Sequence, residues 1–239
     1  MNEAPTTKLT LPPAVYGSST ERAARAGTSQ SLPWEVAEAL RSGDHGCDRQ
    51  FDRFLPLRLQ AVSARYWSPL RVAARAAAWL DELDIRTLVD IGSGAGKFCV
   101  ATALMSRCAF LGVEHRKDLV ATARALAAVF GVQSRVSFVE ETFGDTPPPA
   151  AECYYFYNPF LEGMLEPEAW LDDRVEHGER RYDRELLAVE DWLGRAPVGT
   201  YVLTYNGLGI DLPLAYREIR TDRTFPCNLR LYRKTFEQR

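Results

Sequence analysis

The chain has 239 residues, of which 46% are hydrophobic and 26% are charged, the composition of an ordinary globular protein. Its 29 basic and 32 acidic residues give a formal net charge of −3, which argues against a dedicated nucleic-acid coat protein, because duplex binding depends on a basic surface. No apolar run reaches the ~18 residues of a membrane-spanning helix. The N-terminus lacks the basic start and apolar core of a signal peptide, which predicts a cytoplasmic protein.

The cysteines and histidines do not form a recognisable metal or disulfide pattern. The chain has five cysteines, an odd number, and they are widely spaced without a Cys-x-x-Cys pair. The three histidines are isolated from one another and from acidic ligands at metal-binding spacing. We therefore expect reduced, mostly buried thiols and no metal site.

The first part of the chain divides into an arm and a helical region. Residues 1–30 are rich in Pro, Thr, Ser, Gly and Ala without an apolar period, and they predict a flexible arm. Residues 31–84 predict a lid of helices, the first ending near residue 42 and the second spanning about 47–63. The third helix is the best specified, since Ser68 can cap it and Pro69 occupies its first position.

From residue 85 to the C-terminus, short β-like runs alternate with helical patterns, which indicates one α/β domain with a mostly parallel sheet covered by helices on both faces. Two further runs, 217–225 and 229–235, predict an antiparallel hairpin that ends the sheet. With the hairpin the twisted sheet has seven strands. The other five strands are predicted at 87–91, 109–114, 136–140, 153–157 and 200–205.

A glycine turn follows the first of these strands, with the pattern Asp90-x-Gly92-x-Gly94-x-Gly96 before a helix. Glycines here permit a tight turn and let a ligand approach the helix N-terminus. The sequence does not match the phosphate-binding P-loop pattern, because Ile91 stands where that pattern has its first glycine and Phe98 stands where it has a Ser or Thr. The dinucleotide pattern G-x-G-x-x-G is weakened, since the third glycine comes one residue early.

The remaining pattern resembles the class I methyltransferases, Rossmann-like enzymes that use S-adenosylmethionine (SAM). Residues 110–114, Phe-Leu-Gly-Val-Glu, are similar to the second strand of that family, which ends in an acid that binds the ribose hydroxyls. The resemblance implies that Glu114 has this role, and a carboxylate suits it because its oxygens accept hydrogen bonds. It further implies that the methionine end of SAM is held by Asp90, Gly92, Gly94 and Gly96. For the adenine contact after the third strand, Glu141 and Thr142 are alternatives.

A second set of residues resembles the amino-group methyltransferases within this family. Asn158-Pro159-Phe160 is similar to their N-P-P-Y/F motif, with one Pro missing. The resemblance implies that Asn158 and Pro159 are catalytic, with Asn158 also contacting the cofactor. A carboxylate or Tyr157 is the candidate to help an acceptor amine lose its proton. Tyr66-Trp67-Ser68-Pro69 is similar to a segment that covers the cofactor in these enzymes, so Trp67 and Phe160 are assigned to acceptor binding.

The sequence thus predicts a SAM-dependent methyltransferase that acts on nitrogen, in a small amine or a protein side chain. Between residues 140 and 191 there are fifteen acidic residues against four arginines, which favours a cationic or amine-bearing acceptor. Five arginines from 53 to 75 oppose this preference, so a nucleic acid is not excluded. An oxidoreductase using NAD or FAD and a non-catalytic cofactor-binding interaction protein stay as alternatives.

Overall fold

The computed structural model describes residues 32–237, so the predicted arm at 1–30 lies outside the described residues. A seven-stranded sheet forms the centre, with the strand order β3-β2-β1-β4-β5-β7-β6. Strands β1 to β5 are parallel, and β7 lies antiparallel between β5 and β6. The strands are β1 Thr87–Ile91, β2 Ala109–Glu114, β3 Val136–Glu140, β4 Cys153–Phe156, β5 Tyr201–Tyr205, β6 Tyr216–Asp222 and β7 Leu229–Lys234. The predicted sheet and its C-terminal hairpin are confirmed.

Eight α-helices surround the sheet in the described part of the chain: α1 Pro33–Arg41, α2 Asp48–Asp52, α3 Leu57–Gln60, α4 Ser63–Tyr66, α5 Leu70–Glu82, α6 Lys97–Met105, α7 Lys117–Val129 and α8 Glu179–Arg195. The prediction of one helix over 47–63 is wrong, because this stretch forms the two short helices α2 and α3, and α4 begins only at its last residue. Pro56 precedes α3, and its ring and missing N–H do not allow the helix to continue through it.

Helices cover both faces of the sheet, as predicted. Because side chains alternate along a strand, Leu88, Tyr155 and Leu203 enter one apolar cluster and Val89, Phe156 and Val202 enter another. Helices α5, α6 and α7 contribute to the first cluster, and Val189 and Leu193 of α8 contribute to the second. The first cluster also includes buried residues of α1 and α2, so the N-terminal helices share the core of the sheet.

The parallel strands bring five loops to one edge of the sheet. Residues Ile91, Glu114, Glu140, Phe156 and Tyr205 are the last residues of β1 to β5. The strand order reverses between β1 and β4, and in open α/β sheets this reversal leaves a crevice that holds ligands. Within residues 32–237, no helix has the length and apolarity needed to cross a membrane.

Candidate functional site

A cleft opens at this reversal, between the loops that follow β1, β2 and β4. It encloses about 670 Å³ of empty space, its open mouth included. The fold thus brings together residues from three motifs that are far apart in the sequence. The predicted site residues that line it are Gly92, Gly94, Glu114, Tyr157, Asn158 and Pro159.

At two positions of the turn after β1, close contacts leave room only for glycine. Gly92 and Gly94 have φ values of 74° and 56°, in the left-handed region that favours glycine. A Cβ on Gly92 would lie 2.8 Å from the Cβ of Pro159, and a Cβ on Gly94 would overlap the indole of Trp67. Trp67 itself is buried, and its indole packs against the turn at Gly94.

Gly96 has a different structural reason. It precedes α6 with a φ of 78°, and a Cβ there would collide with the ring of Phe138 and with Ala123 of α7. It does not line the cleft. Its lack of a side chain lets α6 and α7 pack closely against the sheet.

Glu114 is the acid at the centre of the cleft. One carboxylate oxygen accepts a hydrogen bond from the N–H of Gly94 at 3.0 Å, and the other accepts one from the N–H of Arg116 at 2.9 Å. Burial raises the pKa of Glu114, and the N–H and charge of Arg116 oppose that shift. The carboxylate therefore fixes the glycine turn and retains further acceptor capacity toward the cleft.

Asp90 lies behind the turn and does not line the cleft. Its carboxylate is buried and accepts a hydrogen bond from the Cys99 thiol at 3.3 Å. Burial raises the pKa of Asp90 to about 7, the Cys99 bond opposes this rise, and the nearby Glu114 charge adds to it. The two acids of the site thus lie within electrostatic reach of each other.

The residues after β4 form the opposite wall. Asn158 adopts a φ of 43°, one of few left-handed non-glycine residues in the described chain, and its carbonyl accepts the N–H of Leu161 at 3.1 Å. The ring of Tyr157 lies 4.9 Å from that of Tyr205. Burial raises the pKa of Tyr157, so its hydroxyl stays protonated at neutral pH and is a donor rather than a base.

The remaining predicted residues lie in a neighbouring recess. Glu141, Thr142 and Phe160 line this recess, which shares Gly92 and Glu114 with the cleft. Phe160 is 9% exposed and its ring centroid lies 6.0 Å from that of Phe143. The structure therefore places Phe160 in the second apolar cluster as well as at the recess.

Sequence reasoning missed the charged and apolar residues that complete the cleft. They come from α4, from the start of α7 and from the loop after β4, and the principal ones are Arg65, Arg116, Leu161, Glu162, Leu165 and Leu171. Tyr66 also lines the cleft, and it belongs to the segment for which the sequence predicts a place over the cofactor. Arg116 stands two residues after Glu114, and this position is the only feature of the nearby sequence that points to a place in the cleft. Its partner Asp172 is 56 residues away along the chain, a separation that no motif reports.

Comparisons with known proteins agree with this fold. No protein-family model and no curated protein sequence matches the chain. Among solved structures, an RNA methyltransferase from Salinibacter ruber in complex with S-adenosyl-L-homocysteine matches 72% of this chain and 95% of its own, with 20% identity and a TM-score of 0.50. Mitomycin 7-O-methyltransferase MmcR matches 87% of this chain and 62% of its own, with 17% identity and a TM-score of 0.51. The chain therefore has the Rossmann-like fold of the class I methyltransferases.

Proposed function

We propose that this protein is a SAM-dependent methyltransferase that transfers the methyl group to a nitrogen atom. The observation that carries the proposal is the convergence of Gly92, Gly94, Glu114 and Asn158 on one cleft at the reversal of the sheet. Fold alone does not select an activity, so the argument depends on these side chains and on their contacts.

The cleft residues fit a SAM molecule. Each oxygen of Glu114 accepts one backbone N–H, which leaves lone pairs for two ribose hydroxyls. Gly92 and Gly94 line the cleft where the methionine end would lie, and Asp90 is buried behind them. The adenine would extend toward the recess of Glu141 and Thr142, which is continuous with Glu114.

Methyl transfer from SAM requires few acid or base groups from the protein. Bound SAM supplies a methyl group on a positively charged sulfur, and transfer is an in-line displacement by the acceptor's lone pair. The protein's task is alignment and exclusion of water. The side-chain oxygen of Asn158 and nearby carbonyls would accept N–H bonds from an acceptor amine and orient its lone pair, while protonated Tyr157 would donate a hydrogen bond.

The acceptor class has two candidates. The acidic stretch at 140–191 suggests a small amine or a protein side chain, but the carboxylates of Glu162 and Asp172 are paired with Arg116. Arg65 lines the cleft and Arg71 is exposed in the first turn of α5, which favours an anionic acceptor. A nucleobase nitrogen in RNA is therefore the second candidate, and the S. ruber protein is named as an RNA methyltransferase.

Transfer of a ¹³C-methyl group from labelled SAM tests the proposal. The protein is incubated with labelled SAM and with separate protein, RNA and small-amine fractions of a cell extract. The carbon chemical shift of the product distinguishes N-methyl from O-methyl groups. An N-methyl signal in one fraction supports the proposal and identifies the acceptor class, whereas an exclusively O-methyl product would refute nitrogen transfer.

Asn158→Gly tests the catalytic group. Glycine tolerates the left-handed backbone that alanine would strain, so the substitution removes only the side chain. We expect methyl transfer to fall by about 10²-fold or more, because the acceptor loses its orienting group, while SAM affinity falls much less, since the other cofactor contacts stay in place. Asp84→Gly is the matched control, since Asp84 has a φ of 55° in the turn before β1. Unchanged transfer by the Asn158 variant would remove this residue from the mechanism.

A further inference from the structure

The loop after β4 builds one wall of the cleft. We call residues 161–178 the cap segment; it contains two short 3-10 turns, Leu161–Met164 and Pro167–Ala169, before α8 begins. Leu161, Glu162, Leu165 and Leu171 of this segment line the cleft. A ligand in the cleft would therefore lie against the cap segment.

Internal contacts fold the cap segment onto itself. The N–H of Gly178 donates to the carbonyl of Gly163 at 2.9 Å, which brings its two ends together. The Glu162 carboxylate accepts the N–H of Leu171 at 2.6 Å, and the rings of Trp170 and His177 stack at 3.9 Å. The segment is thus a compact unit held together by its own contacts.

A buried arginine joins this unit to the core. Arg116 Nη2 lies 2.9 Å from Glu162 Oε2, near the start of the cap segment, and its Nε donates to Asp172 Oδ2 at 3.1 Å, in the second half. The Arg116 side chain is 7% exposed, and each carboxylate is 14% exposed. We call these three residues the clasp. Removal of one partner from ion pairs this shielded from water is costly, because it leaves the other charge buried without its partner.

The clasp is connected to the cofactor acid. The backbone N–H of Arg116 donates to Glu114 at 2.9 Å, so one residue contacts both Glu114 and the cap segment. Additional ties hold the same unit: the Tyr66 hydroxyl donates to the Ala169 carbonyl, and Arg174 pairs with Asp118 at 3.0 Å. These ties involve α4 and the first turn of α7, on the other side of the cleft.

We infer that Arg116 is a positioning residue that holds the cap segment closed over the bound cofactor, so that opening of the clasp sets the rate of cofactor release. This inference rests on the proposed function for the identity of the ligand. The clasp itself is a property of the ligand-free protein. Asp172 is the most informative member to change, because it does not line the cleft and so does not touch the ligand directly.

The test is the dissociation rate of S-adenosylhomocysteine, measured by stopped-flow for Asp172→Asn and Arg116→Lys. We expect Asp172→Asn to raise the dissociation rate by about tenfold or more, because it removes one of the two ion pairs that hold the cap segment. The association rate should stay the same or rise, since the clasp is closed in the ligand-free protein as well. Lysine lacks the planar guanidinium whose separate nitrogens reach Glu162 and Asp172, so Arg116→Lys should also raise the dissociation rate. Arg195→Gln is the control, since it removes an exposed pair with Asp191 within α8, outside the cap segment.

Hydrogen exchange of the ligand-free variants separates the possible failures. Faster exchange confined to the cap segment, together with faster dissociation, supports the inference. Faster exchange with an unchanged dissociation rate, or a reduced association rate at unchanged dissociation, would overturn it, because the clasp would then only stabilise the fold. If the wild type does not bind S-adenosylhomocysteine, the proposed function and the release role both fail. Unchanged exchange in Asp172→Asn and Glu162→Gln would then reject the clasp too.

Discussion

At the carboxyl end of β1, Asp90 carries an ionisable group into the core beneath the glycine turn. It is 4% exposed, and its hydrogen-bond partner is the neutral thiol of Cys99. Burial disfavours the carboxylate, which is why the pKa of Asp90 rises to about 7 from its ordinary value of 3.8. The native protein therefore retains this proton to a higher pH than the unfolded chain does.

Asp90→Asn tests this environment through the pH dependence of stability. Between about pH 4 and pH 7 the unfolded chain ionises Asp90 while the folded protein resists, so wild-type stability falls as the pH rises through this window. The asparagine variant lacks this loss. We expect its free energy of unfolding, relative to wild type, to increase by about 2–4 kcal/mol from pH 4 to pH 8.

Urea unfolding of both proteins across that pH range gives the comparison, because other titrating groups cancel in the difference. A difference in unfolding free energy that is constant with pH would show that Asp90 ionises normally in the folded state. A difference that changes in the opposite direction would show that Asp90 is held as a stabilised carboxylate.

Glu114→Gln tests the proposed role of Glu114 in binding the cofactor ribose. The amide presents an NH2 group to one of the two backbone N–H donors and removes the charge that would bind the ribose hydroxyls. We expect the binding free energy of S-adenosylhomocysteine to weaken by about 1–3 kcal/mol. Glu140→Gln is the control, since Glu140 is the exposed register partner of Glu114 on β3. Equal affinities for both variants and the wild type, measured by calorimetry, would contradict the role of Glu114.

At the scale of elements, a buried lysine attaches the N-terminal helices to the glycine turn. Lys97 is the first residue of α6, its side chain is 2% exposed, and its ammonium lies 2.8 Å from Asp48 and 2.7 Å from Asp52 of α2. Burial favours the neutral amine, but the two carboxylates outweigh it and raise the pKa of Lys97. Helix α2 is thus held through a charged cluster inside the protein.

Lys97→Met should reduce the free energy of unfolding by about 3–5 kcal/mol, because it leaves two shielded carboxylates without their partner. Lys117→Met is the matched control, since Lys117 is also the first residue of a helix but is exposed. The triple variant with Asp48→Asn and Asp52→Asn should recover part of the lost stability. Equal effects of the two lysine substitutions in urea unfolding would contradict the role of the cluster.

The sequence predicted well those helices and strands whose position is determined by residues close together in the chain. β1 and β2 were located within their observed bounds, because each is an apolar run that ends in a motif residue. The break of the predicted helix at 47–63 had a local signal in Pro56, which outweighs the helical propensity around it. No local pattern in the sequence predicts the clasp, because Arg116 lies in the loop after β2 and its two carboxylate partners lie in the loop after β4. These loops meet only after the sheet has formed.

For the whole molecule, the sheet order explains why one cleft receives the predicted residues. The glycine turn, Glu114 and Asn158 follow β1, β2 and β4, which are adjacent in the sheet, so their carboxyl ends meet. This much of the site follows from the alternation of strands and helices. The acceptor does not, since the same fold occurs in an RNA methyltransferase and in a mitomycin O-methyltransferase.

Parallel calorimetric titration of the wild-type protein with SAM, S-adenosylhomocysteine and NAD tests the cofactor assignment most directly. We predict dissociation constants on the order of micromolar for both sulfur compounds and no measurable binding of NAD. Binding of NAD alone would contradict the assignment and indicate an oxidoreductase. Binding of none of the three would show that the glycine turn is structural, and would favour a protein that uses this fold for interaction.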